Sequence, residues 1–203
     1  MHRFNIFTVP HTGTHFIFKF VNDVLGAERD NGPAHYTKDG AYYWPFHAFH
    51  QPLHMMSPRI QSFCNGTNNE SRRPTLVTAR DPYLSTIHYM DLAPTRKLSD
   101  CAGYWDTFLG IIPRTNHFIV DIGCHENKRT EHLCEVADFL RLPYKLDDMK
   151  TFAEAWKPEN ARSNDMKKKY LETGTLPDPR GESWDMLDNA VAWYKSLPTN
   201  GYS

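Results

Sequence analysis

The sequence predicts an α/β fold, a parallel sheet covered by helices on both faces, and three observations carry that prediction. Short β-rich runs at Arg3–Val9 (RFNIFTV), Thr75–Ala79 (TLVTA) and His117–Ile122 (HFIVDI) are separated by segments whose apolar residues recur at helical spacing. Strands that alternate with helices imply crossovers, hence a parallel sheet between two helical layers, here of about four or five strands. The chain of 203 residues is long enough for one domain with a real core, 1–203, and does not demand a second.

The first strand ends at Pro10, and Phe16, Ile17, Phe20, Val21, Val24 and Leu25 then mark a helix that Gly26 stops. Between them lies Pro10-His11-Thr12-Gly13-Thr14-His15. A strand, a tight glycine-bearing loop and a helix N-terminus bind anions, because the free N–H groups of the first helical turn and the positive end of the helix dipole converge. Thr12 and Thr14 are candidate hydroxyl donors to that anion. The loop is not a Walker A loop, lacking both the GxxxxGK[ST] spacing and its Lys.

Ala27 to Ser57 holds Gly32, Pro33, Gly40, Pro45 and Pro52, many aromatics, and His35, His47, His50 and His54. No period persists through it. The stretch 27–71 therefore reads as a loop-rich insert lining a pocket, with one short strand near Phe46–His50 and an exposed tip at 65–69. The second strand ends directly in Arg80-Asp81-Pro82, with Asp81 placed to cap and Pro82 to begin a helix that carries Leu84 and Ile87 to about Leu92. Further helices are expected at Asp100–Ile112, His125–Leu142 and Ser183–Leu197. The segment 144–169 reads as polar and irregular, and Gly174–Gly181 as a linker.

In parallel sheets ligands bind beyond the carboxyl ends of the strands. The HTGTH loop and Arg80 both fall at such ends, so one ligand can touch both.

These two units together resemble the sulfotransferases that use 3′-phosphoadenosine 5′-phosphosulfate (PAPS). Pro10-His11-Thr12-Gly13-Thr14-His15-Phe16 is similar to that family's P-K-S-G-T-T-W loop for the 5′-phosphosulfate. Leu76-Val77-Thr78-Ala79-Arg80-Asp81-Pro82 is similar to its R-[DN]-P segment for the 3′-phosphate. Phe118-Ile119-Val120-Asp121, Asp138 to Pro143 (DFLRLP) and the closing Tyr194 to Tyr202 follow the family's order.

The resemblance implies a P-loop nucleotide-kinase-like sulfotransferase fold with PAPS as co-substrate and no metal. It places Thr12, Gly13, Thr14 and His15 at the 5′ end and Arg80 at the 3′-phosphate, joined by His88, eight residues after Arg80 where the family has Ser, or by the rival Ser85. His11 stands where the family has its loop Lys, and two adjacent phosphates should raise its pKa toward a cation. The acceptor's proton goes to a His in the family's K-T-H-L-P stretch. Ala48-Phe49-His50-Gln51-Pro52-Leu53 is the better match, making His50 the candidate base and His47 the second. Anchoring instead on Ser57-Pro58-Arg59-Ile60 would put Cys64 there, where the chemistry fits poorly. The family's C-terminal R-K-G element has no clean counterpart. Arg162 or Lys167–Lys169 could substitute, but a solvated charge run is the preferred reading.

The implied acceptor is a hydroxyl, or second an amine, of a small molecule or glycan. A formal charge of −1 argues against general nucleic-acid or membrane-surface binding. No run reaches the roughly 18–20 apolar residues of a membrane span, and the N-terminus does not read as a signal peptide. Four scattered cysteines fit a reduced, cytoplasmic protein. His11/His15, His50/His54 and Cys124-His125 with His132 and Cys134 have spacings seen in metal sites, yet they spread over junctions and faces, and no metal site is expected. Two rivals stay open: a P-loop-type small-molecule kinase, and a nucleotide-binding protein of the same fold with impaired catalysis.

Overall fold

The computed structural model describes residues 2–30, 40–47, 58–66, 72–93, 95–112, 115–123, 126–156 and 165–197. Five strands form one all-parallel sheet: β1 (His2–Thr8), β2 (Glu28–Arg29), β3 (Ala41–His47), β4 (Thr75–Ala79) and β5 (His117–Asp121). Their spatial order is β2-β3-β1-β4-β5, with Phe4 beside Tyr43 and Ile6 beside Leu76. From β1 the chain first fills one side, with β2 at the edge and β3 between it and β1, and then the other, adding β4 and β5. That reversal opens a crevice at the carboxyl end of β1.

Alternation along the strands divides the core in two. Phe4, Ile6, Leu76 and Val120 face one layer, packing on α1 (Thr14–Asp23), α5 (Arg129–Leu140) and α6 (Leu146–Ala155) through Phe16, Phe20, Val136 and Met149. Phe7, Phe46 and Val77 face the other, against α2 (Pro58–Asn65), α4 (Leu98–Ile111) and α8 (Asp188–Lys195) through Phe63, Trp105, Phe108 and Val191. Near-continuous burial along β1 and β4 is what a strand covered on both faces requires. The three-layer α/β/α fold with a short parallel sheet is therefore the observed one.

The insert differs from its reading. In place of one short strand near Phe46–His50 it contributes β2 and the seven-residue β3, then α2. Pro45 obscured β3, since proline has no ladder N–H. It is accommodated because β2 reaches only Tyr42 and Tyr43, so β3 is an edge strand where Pro45 lies.

The polar segment 144–169 is also corrected. Met149 and Ala153 bury a narrow stripe of α6, and α7 (Asp165–Thr173) packs beside α3 (Pro82–Asp91). Lys167 is 1% exposed, which contradicts a solvated charge run, whereas Lys168 and Lys169 are exposed as read. The Gly174–Gly181 linker is irregular but anchored. The Arg180 guanidinium donates to the carbonyls of Met90 (3.3 Å), in the last turn of α3, and of Arg96 (3.1 Å), in the connection that follows, and Trp184 Nε1–H donates to Pro177 O at 2.9 Å.

No helix among the described residues is long and apolar enough to cross a membrane.

Candidate functional site

The loop after β1 is built around two left-handed residues, His11 (φ 66°) and Gly13 (φ 98°). Gly13 is required twice over. Its φ disfavours any side chain, and a Cβ there would collide with Cγ1 of Ile122 at the end of β5. His11 accepts a conformation uncommon for a non-glycine residue, of the kind that concentrates at functional sites.

The two threonines of the loop behave differently. Thr12 is fully buried; its hydroxyl donates to Val9 O at 2.8 Å and pairs with Thr78 Oγ1 on β4 at 2.7 Å. Its side chain stitches the loop to the sheet and is not among the residues that line the cleft. Thr14, the first residue of α1, stays half-buried and donates to Thr8 Oγ1 at 3.1 Å. Thr8 Oγ1 in turn lies 2.8 Å from His47 Nδ1 at the end of β3.

On the neighbouring strand end, Asp81 caps α3 by accepting the Tyr83 N–H at 2.8 Å, and its other oxygen accepts the Tyr170 hydroxyl of α7 at 2.9 Å. Ser85 is fully buried and donates back to Pro82 O at 3.0 Å, whereas His88 lines the cleft. The His88 and His11 rings meet edge to face, their centroids 4.8 Å apart, and His11 also lies 5.7 Å from Tyr89. Arg96 sits 4.7 Å over the Tyr89 ring, whose hydroxyl is pushed up to about 12 by burial and by Tyr104.

One open cleft of about 450 Å³ lies over the carboxyl ends of the strands. Its walls include the loop from His11 through His15 (Thr12 excepted), His47, Arg80, His88 and Trp156. No Asp or Glu is among the lining residues, so its electrostatics favour an anion. Burial pulls Arg80 below its ordinary value against the opposing charges of Asp81 and Tyr194, yet arginine starts so high that it stays cationic. For His11, burial first, then His88, Arg96, Arg80 and His15, lower the pKa to about 4. In this state His11 is neutral at neutral pH. His47 is held below its ordinary value by partial loss of solvent, then by Arg29 and His15.

Of the residues singled out from sequence, the structure thus brings Gly13, Thr14, His15, Arg80, His88, His11 and His47 to one place. His50, His54, Cys124, His125 and Arg162 lie outside the described residues. Cys64 is buried in the core cluster of Phe63 and Phe46 and does not line the cleft. His132 is engaged by the β5 backbone, accepting the Asp121 N–H at 3.1 Å through Nε2. Among the described residues no group of three or more His, Cys, Asp or Glu side chains is placed to hold a metal.

Trp156 and Arg96 were missed from sequence. Trp156 reaches the cleft only because α6 forms, placing its ring 4.0 Å from Phe16. Arg96 sits in a short connection without a local pattern.

No family model matches the sequence, and no curated protein matches it either. Among solved structures, the chain is similar to mouse sulfotransferase SULT7A1 complexed with PAP, at a TM-score of 0.56 and 12% identity, over 80% of this chain and 68% of that one. The shared architecture is the P-loop-like sulfotransferase fold.

Proposed function

We propose that the chain transfers a sulfuryl group from PAPS to a hydroxyl, or second an amine, of a small molecule or glycan. The observation that supports this reading best is the convergence of the His11–His15 loop with Arg80 and His88 in one cleft without carboxylates, on a sulfotransferase fold. When bound, PAPS would supply the activated sulfuryl group.

The protein's part is then in-line positioning and charge stabilisation. The Thr14 hydroxyl and the free amides of Gly13, Thr14 and His15 at the start of α1 would hold the 5′ end. Arg80 and His88 would hold the 3′-phosphate. His11, made cationic by the arriving phosphates, would stabilise charge on the leaving group. His47 is the described histidine at the cleft suited to accept the acceptor's proton. The insert that carries it would form the acceptor wall. His50 remains the competing base, and His50→Ala against His47→Ala distinguishes them.

The depressed pKa of His11 also supports a second reading, a nucleotide-binding protein with impaired catalysis. Both readings expect selective binding of the product nucleotide 3′-phosphoadenosine 5′-phosphate (PAP). The test is thermal stabilisation by PAP against ATP with Mg²⁺ and 5′-AMP. Saturation at about 100 times the dissociation constant adds about 2.7 kcal/mol. PAP alone should stabilise, and EDTA should leave the effect unchanged. Equal stabilisation by the three nucleotides removes both readings, and stabilisation by ATP that needs Mg²⁺ favours a kinase. Radiolabelled sulfuryl transfer then separates enzyme from binding protein.

A further inference from the structure

Thr8 is fully buried at the last position of β1, yet its hydroxyl touches two residues of the cleft. Thr14 Oγ1 donates to it at 3.1 Å, and His47 Nδ1 lies 2.8 Å away. The register pairs Thr8 with His47 across β1 and β3, so the contact is fixed by the sheet itself. Other groups facing His47 are the Phe18 ring, Arg29 and His15, and none of them bonds Nδ1.

A hydroxyl has one proton and two lone pairs, and a neutral imidazole donates at one nitrogen and accepts at the other. The three side chains therefore have two self-consistent orders. Directed inward, Thr14 donates to Thr8, Thr8 donates to Nδ1, and His47 carries its proton on Nε2. Directed outward, Nδ1–H donates to Thr8, Thr8 donates to Thr14, and Thr14 donates to a ligand oxygen. Nε2 then keeps its lone pair for the cleft. Only the second order lets His47 accept a proton from an acceptor hydroxyl. An anion at the start of α1 has acceptor oxygens and no donor, so it selects that order.

We propose that Thr8 is a positioning residue whose hydroxyl, chained to Thr14, converts occupancy of the anion site at the start of α1 into the base-competent tautomer of His47. No proton is gained or lost overall. Two hydroxyls rotate, and the imidazole gives its Nε2 proton to water while Nδ1 takes one from water. The arrangement makes the base ready only when the sulfuryl donor is in place. It rests on the PAPS reading above.

The test uses the full chain with ¹⁵N-labelled histidine, PAP as the probe, and two-bond ¹⁵N–¹H correlation spectra at pH 8, with His47 assigned through His47→Gln. Calorimetry on the same samples measures binding. In the wild type, saturation with PAP should move His47 from the Nε2–H to the Nδ1–H pattern. Thr8→Val, which keeps the shape and removes the hydroxyl, should still bind PAP and lose the switch. Thr8→Ser should retain it, which a purely structural role for Thr8 does not predict. Binding of PAP with no change of tautomer overturns the relay and leaves the PAPS reading standing, as does a Thr8→Val protein that switches like the wild type. Absence of PAP binding overturns both.

Discussion

In the proposed reaction, charge stabilisation rests on His11. A lysine at this position would carry its charge at all working pH values, whereas His11 starts neutral, its pKa lowered to about 4 by burial and by His88, Arg96, Arg80 and His15. The sign for folding follows. A group that binds protons less readily folded than unfolded contributes stability above its unfolded value near 6.5 and loses it as pH falls toward 4. For binding the sign reverses, because an adjacent phosphate favours the protonated ring. PAP should therefore bind with net proton uptake at pH 7, measured calorimetrically in buffers of different ionisation enthalpy. Uptake should fall markedly in His11→Lys, and the same variant should bind PAP more tightly.

Among the elements, α3 and α7 share one carboxylate. Asp81 closes the first turn of α3 with one oxygen and holds Tyr170 of α7 with the other. Asp81→Ala should cost about 1–2 kcal/mol, from the lost cap and the stranded hydroxyl together, and Tyr170→Phe about 1 kcal/mol, both read from urea unfolding. The capping half of this junction was legible in Arg80-Asp81-Pro82, as the loop after β1 was in its proline, glycine and threonines, because turn and cap chemistry is local. Its other half was not, since α7 offers a lysine run in which only packing decides that Lys167 is buried. In the same way Pro45 hid β3, and only the sheet order shows it lying where that strand has become an edge. The loop gave the positions of Thr12 and Thr14 but not which of them packs inward. Thr78, on a strand 66 residues away, is what turns one of them inward.

At the scale of the whole molecule, the near-neutral chain concentrates an arginine and several histidines over one end of its sheet. The sheet also sets the distances within that cluster. The fully buried Thr12–Thr78 hydrogen bond joins the loop to β4 two residues before Arg80. On the proposed reading, the gap between the 5′ and 3′ anion sites would be a dimension of the β1–β4 ladder, set like the jaws of a locked calliper and shielded from salt and solvent. Charge alone would not discriminate between isomers, but a fixed jaw would. Adenosine 2′,5′-bisphosphate, equal to PAP in charge and mass, should bind measurably more weakly by calorimetry. Thr12→Val, which keeps the bulk and loosens the lock, should narrow that difference by weakening PAP more than its isomer.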